Sequence, residues 1–424
     1  MGVDRSIIIG VVAVVLIVIA GIVGYYEGSR AVQPKTVTLT QTIRETITLT
    51  PTSGGSTPQY PASSQVATQT ASATYSVTIV LPRNIGVIGG GATFVNPQMQ
   101  AWIQRFMDLY KDYSIVINYQ SIGSGAGEAK LIDGALDFAV TDVPISRTGF
   151  EKLKSRNIPF VQIPIVAGAV SIVYNLPEWD ENRCGPLRLS GEVIADIYLG
   201  KIIKWNEPAI AQLQKDICRN LLPDKEIIGI HRADGSGTTY LFTAFLSIVN
   251  SDWNNKVGYG YTVEWPRDNI GYGIGAKGNE GVSATVKNTP YSIGYVEYGY
   301  AIQLGLKMAA IRNRDGNYVL PNTTTVLSAL KYVTGIHLPK PDEYWGEYIF
   351  HILYREGSET YPIVGTPIMT LRLDVDPNKL QLIKGFLLWI LTEGQKEENL
   401  VPGFLPLPKE FTERFIPIVE SITK

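Results

Sequence analysis

Three loops in this chain of 424 residues join glycine to a small hydroxyl residue just ahead of a helical pattern. They are Gly89-Gly-Gly-Ala-Thr93-Phe94, Gly123-Ser124-Gly125-Ala-Gly127 and Arg232-Ala-Asp234-Gly235-Ser236-Gly237-Thr238-Thr239. The first turn of a helix carries backbone N–H groups without intrahelical partners, and the helix dipole puts partial positive charge there. Glycine lets that backbone approach a ligand closely, and a Ser or Thr hydroxyl adds a short donor, so each loop is suited to an oxyanion. Any one loop alone reads more readily as a capped helix after a turn. Three together, one carrying an arginine, favour the anion site.

Around these loops, short apolar runs such as YSVTIVL (75–81), YSIVINY (113–119) and FVQIPIVAGAVSIVYN (160–175) read as strands. Amphipathic stretches between them read as helices, so the expected class is α/β. Length alone favours two or three units. The formal net charge of −2 argues against a nucleic-acid binder working through a broad basic surface. An anion would have to be held by local dipoles. With 2 cysteines, a disulfide-built scaffold and a cysteine-rich metal module are both excluded; 3 histidines leave little room for histidine-based metal catalysis, and no metal or cofactor is expected.

Ile7–Tyr26 carries no charge, and roughly 20 apolar residues suffice to cross a hydrocarbon core. We read residues 1–26 as a membrane anchor in preference to a cleaved signal segment, whose apolar core is shorter. Residues 27–76 are dominated by Thr and Ser and read as an extracellular linker. Their alternation of Thr with apolar residues is also compatible with paired strands. Cys184 and Cys218 suit an oxidising compartment and are read as bonded, two free buried thiols being the alternative.

Asp142, at the end of the strand-like FAVTD, reads by itself as a turn or cap residue, but it is unusual beside an anion site. A carboxylate repels an anion unless that anion brings a proton. Near neutral pH phosphate does so and sulfate does not, and such polar mismatches discriminate better than size. Arsenate also carries a proton, so Asp142 does not separate it from phosphate.

The strings GGGATF (89–94), YQSIGSGAG (119–127), DFAVTDVPIS (137–146), DIYLGKIIKWN (196–206), HRADGSGTT (231–239), VEWP (263–266), GAKGNEGV (275–282) and YSIGYVEYGYA (291–301) closely resemble the phosphate-binding proteins of Pst-type ABC importers. The resemblance covers nearly all of the chain from Val77 onward. It implies a periplasmic-binding-protein-like fold of two α/β lobes joined by two crossover strands, near Ile165–Tyr174 and Ile293–Tyr298. Lobe I would then combine 77–165 with 296–424, and lobe II would span 166–295. It also implies a non-enzymatic, monomeric receptor outside the cell that passes inorganic phosphate to membrane permease subunits. By the same resemblance, phosphate would be held by Thr93, Phe94, Ser124 and Asp142 from lobe I. Arg232, Ser236, Gly237 and Thr238 would hold it from lobe II, with Asp234 orienting the arginine. Two departures stand near the site: Gly125 replaces a hydroxyl residue common in the family, and Glu128 adds a carboxylate expected to face solvent.

Enzyme readings are weaker. Gly273, Gly275 and Gly278 satisfy G-x-G-x-x-G, but the residues before them form no apolar strand. Glu347 and His351 lack a third ligand.

Overall fold

The computed structural model describes residues 36–47, 69–334 and 338–423. The expected anchor at Ile7–Tyr26 lies outside them. Among the described residues no helix is long and apolar enough to cross a membrane. Within the stretch read as a linker, β1 (Thr36–Ile47) and β2 (Gln69–Val80) pair antiparallel, Thr36 opposite Val80. This is the strand alternative that the Thr alternation left open.

Two mixed sheets organise the remainder. The first runs in the order β4 (Val116–Ser121), β3 (Gly86–Gly91), β5 (Phe138–Thr141), β16 (Ile368–Arg372), β6 (Phe160–Pro164). Here β4, β3 and β5 are parallel, and β16 runs antiparallel to both β5 and β6. The second sheet runs β10 (Gly273–Ala276), β9 (Ile228–Arg232), β11 (Ser292–Glu297), β7 (Gly168–Asn175), β12 (Lys307–Met308). Again three neighbours, β10, β9 and β11, are parallel, and β7 is antiparallel to β11.

The apolar run 160–175 therefore splits into β6 and β7, one in each sheet, with the chain crossing between Pro164 and Gly168. The return lies later than the resemblance implied. After β11 the chain stays beside the second sheet, because β12 pairs with β7 and β13 (Ala310–Arg312) pairs with β8 (Arg188–Leu189). It rejoins the first sheet through β15 (Val364–Gly365), which pairs with β7, and then β16.

Helices cover the sheets by burying their apolar faces. In α1 (Asn96–Leu109), Met99, Trp102, Ile103 and Phe106 are buried. The α5 helix (Pro377–Leu391) starts with Pro377 at its first turn and Asp376 as cap, accepting from the N–H groups of Asn378 and Lys379. Phe106 meets Phe386 and Trp389 of α5 at ring separations of 5.1 and 5.8 Å. The end of β2 is tied to this core through Gln381 Nε2, which donates to Val80 O at 2.8 Å, and through buried Val77, Ile79 and Leu81. On the second side, Phe242 and Tyr295 stack at 4.2 Å. Arg267 is fully buried yet satisfied by the carbonyls of Ile197, Ile202 and Ile227.

Cys184 and Cys218 are buried and joined in a disulfide that closes a loop with a sequence separation of 34. Loop closure of that length stabilises a fold by about 3–4 kcal/mol through the unfolded chain. Replacing both cysteines with serine should lower the unfolding free energy in a urea titration by about 2–4 kcal/mol. An unchanged midpoint and slope would show that the bond contributes nothing.

Candidate anion-binding site

Parallel strands send their carboxyl ends to one edge of a sheet, the usual place for a ligand in such folds. In the first sheet, β3, β4 and β5 end at Gly91, Ser121 and Thr141, just before Thr93, Ser124 and Asp142. In the second, β9 ends at Arg232, while β10 and β11 end at Ala276 and Glu297. These two edges meet, and the predicted residues lie along the seam.

The helix starts follow the sequence reading with one difference. The α2 helix (Ser124–Ile132) begins after Gly123 at φ 88°, and α3 (Gly237–Val249) begins after Ser236, whose Oγ accepts from Thr239 N at 3.0 Å. The first glycine triplet is not a turn, however. Gly89–Gly91 belong to β3, and α1 starts only at Asn96. The reason is close packing: a Cβ on Gly127 of α2 would lie 2.4 Å from Gly91 Cα, and Gly91 itself has φ 133°. Helix and strand can touch backbone to backbone only because neither carries a side chain there.

All eight predicted binding residues are buried. Thr238 Oγ1 donates to Asp142 Oδ2 at 3.2 Å, and Asp142 N donates to Ser124 Oγ at 3.4 Å. Gly237 packs so tightly that a Cβ there would lie 2.6 Å from Ser124 Oγ and 2.7 Å from Asp142 Cβ. Gly125 N donates to Gly235 O at 3.0 Å, a direct bond between the two edges at the position where the hydroxyl is missing. The Phe94 ring is fully buried against Phe404, and its backbone follows Thr93 into the seam.

Arg232 is held by Asp234 through Nε to Oδ1 at 2.7 Å and Nη2 to Oδ2 at 2.5 Å. A third contact runs from Nη1 to Thr238 Oγ1 at 3.5 Å. A guanidinium has five N–H donors, so two remain for an anion. Burial pushes Asp234 up, but the hydrogen bonds and charge of Arg232 and the N–H of Gly278, 3.0 Å away, hold it below the ordinary carboxylate range. Asp142 behaves oppositely. Burial pushes its carboxyl up to about 7, against the Arg232 charge and the Thr238 hydrogen bond, with Asp234 adding to the rise. Among the described residues its Oδ1 is buried and has no hydrogen-bond partner.

Three participants were not anticipated. Asn279, fully buried in α4 (Gly278–Asn288), donates from Nδ2 to Thr93 Oγ1 at 2.9 Å and to Thr238 Oγ1 at 3.2 Å. Its backbone N–H also donates to Thr93 Oγ1 at 3.1 Å, and its Oδ1 accepts from Glu297 N at 2.9 Å. The signal was present: Gly278 opens a helix after a strand, as in the other loops, within the G-x-G-x-x-G stretch. The strand there contains Gly273 and Gly275 instead of preceding them. Glu128 is the second, and the expectation that it faces solvent is corrected. It is buried, accepts from Ser146 N at 2.9 Å and from the Ser146 hydroxyl, and takes the Tyr261 hydroxyl at 3.0 Å from the second side. Tyr300, the third, reaches Thr93 O at 2.8 Å. His231 lies apart, stacked on Trp265 and bonded to Asp268 at 2.9 Å. Among the described residues no group of three or more His, Cys, Asp or Glu side chains is arranged to hold a metal ion.

Residues 50–393 match the sequence profile of the PBP superfamily domain. The phosphate-binding protein PstS of Methanocaldococcus jannaschii is 39% identical over 334 residues, covering 78% of this chain and 84% of that protein. This chain belongs to the PstS family of phosphate-binding proteins. PstS of Pasteurella multocida is 36% identical, covering 77% of this chain and 88% of its own length. A crystal structure of a phosphate-binding protein from Stenotrophomonas maltophilia shares the fold, with a TM-score of 0.53 at 21% identity over 78% of this chain and 93% of that one.

The raised Asp142 predicts how the ligand-free protein responds to pH. In the unfolded chain the carboxyl titrates near its ordinary 3.8, and in the fold near 7, so between these values the fold binds more protons than the unfolded chain. Stability therefore falls as pH rises through that window. Melting temperatures of ligand-free protein should decline from about pH 4 to about pH 7, and Asp142→Asn should flatten part of that decline. An identical pH profile in the variant would contradict the assignment.

Proposed function

We propose that this chain captures inorganic phosphate between two lobes built on the two sheets and delivers it to the permease subunits of an ABC importer. It is a binding protein and not an enzyme. The observation that carries the reading is the buried Oδ1 of Asp142, unpartnered among the described residues, on a carboxyl whose Thr238 partner also contacts the Arg232 guanidinium. A buried acceptor without a donor costs about 1–3 kcal/mol, and an anion bearing a proton would relieve it. The surroundings supply donors for the other oxygens: the backbone at Phe94 and Gly237, the hydroxyls of Thr93, Ser124, Ser236 and Thr238, and the Arg232 guanidinium.

Entry of phosphate would part the two edges and move the Thr238 hydrogen bond from Asp142 to the anion. Asp142 would then take the phosphate proton. Sulfate at neutral pH has none to give, so it would set an acceptor against a charge. Asp234 tempers the guanidinium, leaving the binding to short, directed hydrogen bonds. Hinge closure of this kind pivots where the chain passes between the sheets, here at 165–167 and between β15 and β16. Ile7–Tyr26 would hold the monomeric receptor at the outer face of the cell membrane, with the body outside.

Calorimetric titration of the chain with phosphate and then sulfate at neutral pH tests this reading. Phosphate should bind at micromolar Kd or tighter, about −8 kcal/mol or better, with sulfate silent. Arg232→Ala should weaken phosphate binding by about 2–5 kcal/mol, chiefly through faster release, and Asp142→Asn should admit sulfate. Equal binding of both anions by the unaltered chain would discard the role of Asp142. Unchanged phosphate affinity in Arg232→Ala would discard the site.

A further inference from the structure

We propose that Asn279 is a positioning residue for phosphate capture, turning the hydroxyls of Thr93 and Thr238 into obligate donors by occupying their acceptor faces. The inference rests on the phosphate reading above. Its starting point is the orientation of one amide. Asn279 Oδ1 lies 2.9 Å from the N–H of Glu297, a group that can only donate, so the oxygen must face Glu297 and the NH2 must face the two threonines.

A hydroxyl has two acceptor positions and one proton. Both acceptor positions of Thr93 Oγ1 are filled, by the backbone N–H of Asn279 at 3.1 Å and its Nδ2 at 2.9 Å. Those of Thr238 Oγ1 are filled by Asn279 Nδ2 at 3.2 Å and Arg232 Nη1 at 3.5 Å. What each hydroxyl has left is its proton. That of Thr238 now goes to Asp142 Oδ2 at 3.2 Å.

The consequence is selective. With both threonines restricted to donating, and Arg232 unable to accept, Asp142 is the carboxylate hydrogen-bonded to this set, through Thr238; the other buried carboxylate nearby with an oxygen unpartnered among the described residues, Glu297, turns its second oxygen to Gly299 N. A phosphate proton is thereby steered to one atom, and a ligand presenting O–H groups at the threonine positions meets donor against donor. One amide sets the polarity of a hydroxyl on each edge of the seam. It is itself held on the second side by the last residue of β11 and the first turn of α4, and Thr93 comes from the first side, so the full pattern exists only when the two edges are together.

The test is a double-mutant cycle on phosphate affinity, measured calorimetrically on the full chain: unaltered, Asn279→Ala, Thr93→Val and the pair. Asn279→Ala should weaken binding about tenfold or more. If it acts through the hydroxyls, the pair should lose clearly less than the sum of the two single losses, what remains of the Asn279 effect passing through Thr238. Asn279→Asp keeps the acceptor for Glu297 N–H but offers no side-chain donor, and it too should bind phosphate at least about tenfold more weakly. Wild-type affinity in either Asn279 variant, or strictly additive losses in the pair, would overturn the inference while leaving the phosphate reading intact. An unaltered chain that binds no phosphate would sink the phosphate reading and this inference with it.

Discussion

A carboxylate buried between two sheets, with one oxygen bonded and the other not, is the constraint around which the rest is arranged. Burial holds the Asp142 carboxyl up at about 7 even against the groups that lower it. Opposing that rise are Arg232 and Thr238, both supplied from the other sheet. Each sheet therefore brings charges and hydroxyls that are incomplete alone. The cluster is completed when the carboxyl edges of two parallel strand sets meet, and in the proposed reading the same geometry would serve both closure and recognition.

Glycine makes that meeting sterically possible. Gly91 against Gly127 lets α2 sit on the end of β3, and Gly237 lets α3 come up to Ser124 and Asp142 without a side chain between them. These contacts place the first turns of helices beside the seam, where their dipoles favour negative charge. A chain with a net charge of −2 can in this way hold an anion without a basic surface. The buried Arg232, bound on two of its donors by Asp234, supplies direction more than excess charge.

Much of this was legible in the sequence because local chemistry dictated it. Glycine and hydroxyl residues ahead of apolar periodic runs marked α2 and α3, and FAVTD marked a strand that ends at Thr141 and delivers Asp142. What stayed hidden depended on pairs far apart in the chain. Asn279 looks like an ordinary helix residue until Thr93, 186 positions away, is brought beside it. Glu128 sits at a helix start where solvent exposure is the default, yet Tyr261 and Ser146 enclose it. The return to the first sheet was misplaced because the short strands β12 and β13 have too little sequence pattern to reveal their partners. The glycine triplet read as a turn because nothing local shows that α2 presses on it.

The central claim is that phosphate completes Asp142, and the crystal structure of the phosphate complex tests it most directly. A phosphate oxygen should lie about 2.5–2.7 Å from Asp142 Oδ1, the separation of a charge-assisted O–H···O bond, with Thr238 turned from Asp142 to the anion. Phosphate bound elsewhere, or bound between the sheets with Asp142 Oδ1 still unpartnered, would contradict the account.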